Sequence, residues 1–227
     1  MQAHEFWQDI LPHASHQPDG EGVLFHPAVF DDGRALLLPI RPLGDGQRAL
    51  ASLILNQASF PVVEAIAGAL ARKLASSDID VVVGLPTLGL TLASSVAAHL
   101  GHSRYVPLGT SRKFWYRQEL SVLLTSITTP DQSKRLYVDP RMLPLLQGRR
   151  VALVDDVVSS GASIAAALEL MSLCGVQPVA IGAAMVQSTR WRARLAKMDA
   201  MWPARVVAVL ATPLLARAPD GTWRGES

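Results

Sequence analysis

Residues 149–163, RRVALVDDVVSSGAS, carry the feature that most restricts how this chain can fold. An unbroken apolar run, 151–154, stops on two adjacent acids, Asp155 and Asp156. A short continuous apolar run marks a strand covered on both faces, as in a parallel sheet. Two more apolar residues follow, then Ser159, Ser160, Gly161, Ala162 and Ser163. After them Ile164, Ala167, Leu168 and Met171 recur at helical spacing, up to Gly175. The segment therefore reads as strand, loop and helix, with both carboxylates at the strand's end.

The same alternation recurs along the chain. DIDVVVG (78–84), RYVPLG (104–109), KRLYVD (134–139), PVAIGAAMV (178–186) and RVVAVLA (205–211) read as strands. Between them, Ser59 before Pro61 starts a helix whose face is Val63, Ile66, Ala67, Leu70 and Leu74. Further helices are expected at about 88–100, closed by Gly101, and at 190–199. Strands alternating with helices predict an α/β fold, a Rossmann-like open and mostly parallel sheet with helices on both faces. Residues 23–41 read as a hairpin turning at Asp32–Gly33. The hairpin and the last strand look like additions to the sheet. Residues 109–134 have no clean period, and so long a stretch without structure of its own is expected to be a lid.

In an open α/β sheet, ligands bind beyond the carboxyl ends of the strands. The helix after Gly161 presents N–H groups with no partner inside the helix, and its dipole favours an anion. Asp155 and Asp156 can accept hydrogen bonds from vicinal sugar hydroxyls, a few residues from a loop that can hold a phosphate. A ribose 5-phosphate carries both groups. The competing reading is an ordinary turn in which an acid and a serine cap the helix. Each residue alone fits it; the acids and the small-residue loop together exceed what capping needs. No G-x-x-x-x-G-K-[ST] or G-x-G-x-x-G pattern is present, so triphosphatase and dinucleotide readings lack their usual support.

Composition narrows the class. Of 227 residues, 49% are apolar and 18% charged, which suits one large domain or two small ones rather than a disordered chain. A net charge of +2 is too small to argue for nucleic acid. Arg190, Arg192, Arg194, Lys197 and Arg205 gather late; Arg190 and Arg194 share a helix face that reads as solvated surface. Cys174 is the only cysteine, so no intrachain disulfide forms. The first residues, MQAHEFWQDI, show no signal peptide. The uncharged run 81–103 is broken by Gly84, Pro86 and Gly89, so it reads as strand, loop and helix rather than a membrane span. A soluble, cytoplasmic protein is expected.

VALVDDVVSSGAS resembles the phosphoribosyl pyrophosphate (PRPP) signature of the type I phosphoribosyltransferases: four apolar residues, two acids, two apolar residues and a Thr/Ser–Gly loop. The resemblance implies that Asp155 and Asp156 bind the ribose 2- and 3-hydroxyls, and that Ser159, Ser160, Gly161, Ala162 and Ser163 hold the 5-phosphate. VVVGLPTLGLTLA, 81–93, sits where the family has its pyrophosphate loop, which assigns Leu85, Pro86, Thr87, Leu88 and Gly89 to that group. Its bland alternative is a plain strand–turn–helix. VPLGTSRKFWY places Arg112 and Lys113 as the Arg-Lys pair stands in adenine phosphoribosyltransferases, where two cations would neutralise leaving pyrophosphate. The stretch after the pair, to about Lys134, corresponds to the family's hood loop, whose closure would exclude water. Phe114, Trp115 and Tyr116 fit packing or a dimer contact equally well. AAMVQSTRWRARL, 183–195, parallels a base-approaching segment, making Met185, Val186 and Gln187 the candidate base contacts.

The resemblance covers roughly 60–200. It implies a phosphoribosyltransferase core over 51–227 with a small hood from the N-terminal hairpin, within 1–50, and the C-terminal segment. It also implies a Mg²⁺-dependent transfer of 5-phosphoribosyl from PRPP to a nitrogenous base, a nucleoside 5-monophosphate product and a homodimer. No nucleic-acid or membrane partner is expected. The sequence departs from the pattern at two points. Ser159 stands where hypoxanthine–guanine enzymes carry a general-base Asp, and TSITTPDQ (125–132) lacks the Glu of adenine enzymes. Adenine is the nearest acceptor by resemblance. Two alternatives remain: a non-catalytic PRPP or nucleotide sensor on the same fold, and an unrelated α/β phosphosugar enzyme.

Overall fold

A computed structural model describes residues 1–13, 20–124 and 134–226. Strands β1 (Phe25–Val29) and β2 (Ala35–Pro42) form the expected antiparallel hairpin, and Gly33 takes the turn at φ +85°. A short strand β3 (Arg48–Ala51) pairs with β2. Helix α1 (Phe60–Leu74) starts at Ser59, whose Oγ accepts from the Val62 N–H at 3.4 Å. Its Val63, Ile66, Ala67, Leu70 and Leu74 are all buried, as their spacing predicts. Each enclosed Val, Ile or Leu among them contributes about 1.5–3 kcal/mol.

Next come β4 (Val81–Gly84), α2 (Gly89–His99), β5 (Val106–Pro107), β6 (Ser121–Leu124), β7 (Lys134–Tyr137) and the single turn α3 (Leu143–Leu146). They are followed by β8 (Val151–Val158), α4 (Ala162–Leu173), β9 (Ala180–Gln187), α5 (Arg190–Met198) and β10 (Val206–Thr212). The chain closes with β11 (Leu214–Arg217) and β12 (Trp223–Gly225). The central sheet is wholly parallel, in the order β10-β9-β8-β4-β5. Helices α1 and α2 pack on one face of it, and α4 packs on β8 and against α5 on the other. Gly182 of β9 leaves room for α1: a Cβ there would sit 3.2 Å from both Leu70 and Leu74.

The second sheet is antiparallel, β1-β2-β3-β11-β12, and so draws on both ends of the chain. The domain boundary expected at residue 50 falls inside β3. Three expectations need correction. The run 206–211 is no addition to the sheet; as β10 it lies parallel to β9 within it, and β11 and β12 supply the C-terminal part of the hood. Residues 109–134 are not without structure, because β6 pairs with β7 from Ser121↔Tyr137 to Leu124↔Lys134. The acids do not end their strand. β8 continues through Val157 and Val158, which pair with Met185 and Val186 of β9.

Candidate functional site

The chain leaves β4 toward β5 on one side of the sheet and returns through β8 to β9 and β10 on the other. The strand order therefore reverses between β4 and β8, and α2 and α4 leave those strands on opposite faces. Such a switch point opens a crevice at the carboxyl ends of the two strands. Residues 85–89 enter it from β4 and residues 159–163 from β8.

The acids sit at the floor of this crevice. On the β4 side, pairing ends at Gly84↔Val154, and Leu85 N–H adds one bond to the Val154 carbonyl at 2.9 Å. Asp155 is thus the first β8 residue without a β4 partner, while β9 still pairs with it through Ala183. Both carboxyls are buried, 6% and 8% exposed. Among the described residues, neither forms an ion pair. Burial, the nearby Asp156 charge and a hydrogen bond between the two push the Asp155 carboxyl well above the usual carboxylate range. Burial also raises Asp156, against an opposing hydrogen bond from Asp155. The two carboxyls thus titrate as a pair displaced upward by burial.

The loop from β4 backs directly onto the pair. A Cβ on Gly89 would lie 2.7 Å from Asp155 Oδ1 and 2.8 Å from its Cα, so only glycine allows this approach. Leu85 is enclosed, Pro86 and Leu88 are half-buried, and Thr87 is exposed. The Pro86–Thr87 peptide bond is cis. Across the crevice, Gly161 is the N-cap of α4 at φ +75°, and no side chain caps the helix in the usual way. The closest approach is Ser160 Oγ, 3.4 Å from Ala162 N–H. Half-buried Ser159, Ser160, Ala162 and Ser163 surround this N-terminus. Two α5 residues touch the loop: Trp191 packs on Gly161, and Arg194 Nε donates to the Ser160 carbonyl at 3.0 Å. The sequence shows a basic face on α5 but not what that face meets.

Arg112 and Lys113 follow β5 at the same edge of the sheet and are exposed, without an ion pair to either acid. The segment after them is anchored. Trp115 Nε1 donates to Asp139 Oδ2 at 3.2 Å, and Arg141 stacks over the indole at 4.7 Å. The Arg141 guanidinium holds the Asp139 carboxyl down at about 2. Phe114, Trp115, Tyr116 and Tyr137 form a run of ring contacts at 4.7, 5.9 and 5.8 Å. TSITTPDQ and the hood loop around it, 125–133, lie outside the described residues.

The three candidate base contacts divide. Met185 is fully enclosed in the core, with the Thr212 hydroxyl 3.6 Å from its sulfur, so its side chain does not reach a ligand. Gln187 is buried as well, and its Nε2 donates to the Ala51 carbonyl at 2.9 Å, tying the end of β9 to the hood. Val186 alone opens onto space, a cavity of about 550 Å³ whose walls include Ser188, Thr189, Thr212, Leu214 and Glu226. Ser188 there has φ +57°, a sparsely populated conformation for a residue with a side chain.

Residues 52–207 match the family model for the phosphoribosyl transferase domain. The adenine phosphoribosyltransferase of Acidothermus cellulolyticus is 35% identical over 121 residues, 53% of this chain and 64% of that protein. The hypoxanthine/guanine phosphoribosyltransferase of Methanosarcina acetivorans is 28% identical over 138 residues, 61% of this chain and 64% of that protein. The matches thus span somewhat less than two thirds of each relative's length. Among solved structures, the adenine phosphoribosyltransferase of Thermoanaerobacter pseudethanolicus shares the fold at a TM-score of 0.60. It is 19% identical, with 77% of this chain and 95% of that one covered.

Proposed function

The chain belongs to the phosphoribosyl transferase family, and from that premise we propose that it moves the 5-phosphoribosyl group of PRPP onto a purine base. One observation carries the reading. Two buried carboxyls, with no ion pair among the described residues, lie between a glycine-tight loop and a helix N-terminus at the sheet's switch point. The N–H groups and hydroxyls of 159–163 would take the 5-phosphate. Asp155 and Asp156 would accept the ribose diol, and the backbone of 85–89 would take the diphosphate. The bond from the anomeric carbon to the pyrophosphate oxygen breaks as the bond to a base nitrogen forms. That nitrogen gives up its proton to water, and pyrophosphate leaves with the electron pair. Arg112 and Lys113 would neutralise it, so that catalysis would rest on positioning and on charge stabilisation of the leaving group.

The acids also suit Mg²⁺. Among the described residues no group of three or more His, Cys, Asp or Glu is arranged to hold a metal, and Mg²⁺ characteristically takes one or two carboxylates beside water and phosphate oxygens. Two crowded carboxyls with no ion pair among the described residues would be such donors. Mg²⁺, when bound, would add positive charge to the departing pyrophosphate.

The purine is proposed because the relatives above are named for adenine and for hypoxanthine/guanine. The test is incubation of the purified protein with PRPP, Mg²⁺ and a panel of purine and pyrimidine bases, read by mass spectrometry. A purine nucleoside 5-monophosphate plus pyrophosphate supports the reading. A pyrimidine product refutes the acceptor, and PRPP binding without turnover on any base refutes the enzyme.

A further inference from the structure

The phosphate loop is held from behind by α5, a helix that lies outside the VALVDDVVSSGAS signature. In a trans peptide the carbonyl and the following N–H point in opposite directions. The Ser160 carbonyl is engaged by Arg194 Nε on α5, at 3.0 Å. The Gly161 N–H on the same peptide must therefore point away from α5. Trp191, also on α5, packs on the next residue: a Cβ on Gly161 would lie 3.2 Å from Trp191 Cβ and 3.3 Å from its Cα. Trp191 is itself enclosed and fixed by its Nε1–H to the Ser188 carbonyl at 3.1 Å. A loop whose carbonyls turned inward would present lone pairs to an anion. This one has a carbonyl pinned outward.

We infer that Arg194 is a positioning residue, holding the Ser160 carbonyl on α5 so that the Gly161 N–H faces the substrate's 5-phosphate. The inference rests on the proposed function of 159–163. Arg190, Arg194 and Lys197 recur on one face of α5 and line an open depression beside Ser160, with no acid among its walls. Arg190 carries the same charge on that face, but among the described residues its side chain makes no hydrogen bond to the loop.

The experiment is calorimetric titration of ribose 5-phosphate and, separately, pyrophosphate into wild type, R194A, R194K and R190A, with a thermal melt of each. R194A is expected to weaken ribose 5-phosphate about ten-fold, the low end for one lost hydrogen bond to a charged group, and to leave pyrophosphate within about two-fold. R194K, which keeps a donor on a similar stem, recovers most of the loss, and R190A stays near wild type. Equal effects of R190A and R194A would mean charge rather than positioning and overturn the inference. So would an R194A that binds like wild type, or one that loses both ligands together with its melting transition. A wild type that binds no ribose 5-phosphate overturns the functional reading along with it; a wild type that binds it, with variants that depart from the expected pattern, overturns the positioning alone.

Discussion

Gly89→Ala probes the contact on which the candidate site is built. The added methyl would lie 2.7 Å from Asp155 Oδ1, 2.8 Å from Asp155 Cα and 3.1 Å from the Val154 carbonyl. Two of the three are backbone atoms of β8, held at Val154 by both β4 and β9 and at Asp155 by β9, so the relief must come from the 85–89 loop and the start of α2. Overpacking of this kind costs about 1–3 kcal/mol. Alanine returns about 0.4–1 kcal/mol by restricting the unfolded chain. The net loss is about 1–2 kcal/mol, or about 2–8 °C in Tm for a chain this size. Differential scanning calorimetry reads the shift, and pyrophosphate titration reads displacement of the loop. Gly109→Ala is the internal control: nothing lies within 4 Å of its Cβ position and its φ is not positive, so it should melt at or slightly above wild type. A Gly89→Ala protein that melts with Gly109→Ala would refute the packing of this loop on Asp155.

Two further outcomes follow from the buried groups. Because both acids titrate above the ordinary aspartate value of 3.8, the folded protein keeps a proton that the unfolded chain releases, and its stability falls as pH rises through that window. Asp155→Asn removes this ionisation: it should melt close to wild type at pH 4 and above it at pH 8, and a gap independent of pH would show that burial does not raise the Asp155 carboxyl. The double variant with Asp156→Asn should keep its fold and lose PRPP binding by calorimetry. Gln187→Leu strands the buried Ala51 carbonyl that its amide satisfies at 2.9 Å, at a cost of about 1–3 kcal/mol in urea denaturation; unchanged stability would mean the hood is not tied to β9 there.

What could be read in advance follows from how local each signal is. The runs at 81–84, 151–154 and 206–211 mark strands covered on both faces, and Ser59–Pro61 marks the start of α1, because burial and capping are written within a few residues. Asp155 and Asp156 stand out because packing alone gives no reason for paired acids in an apolar run. The strands β3, β11 and β12 leave no such mark, since each exists by filling a place in a sheet assembled from distant segments. The continuation of β8 past the acids depends on β9 offering Met185 and Val186 as partners. Whether Met185 and Gln187 face a ligand or the interior depends on where the hood lies over β9. The spacing of Arg190 and Arg194 gives a shared face, but only the tertiary fold brings the Ser160 carbonyl to it.

The antiparallel sheet bears on how the protein is made. Leu50 pairs with Leu214, about 160 positions away, a separation that puts this pairing among the high-contact-order steps that fold slowly. During vectorial synthesis β1, β2 and β3 emerge early, with the β3 edge open until β10 has been translated and β11 follows it. An exposed edge of this kind is a template for pairing with another chain. Arg41, exposed at the neighbouring end of β2, puts positive charge beside that edge during the interval, while Arg48 on β3 is paired with Asp45 at 2.7 Å. The wall that Gln187 ties to β9 is thus among the last parts of the molecule to form, after the parallel strands that frame the crevice have all left the ribosome.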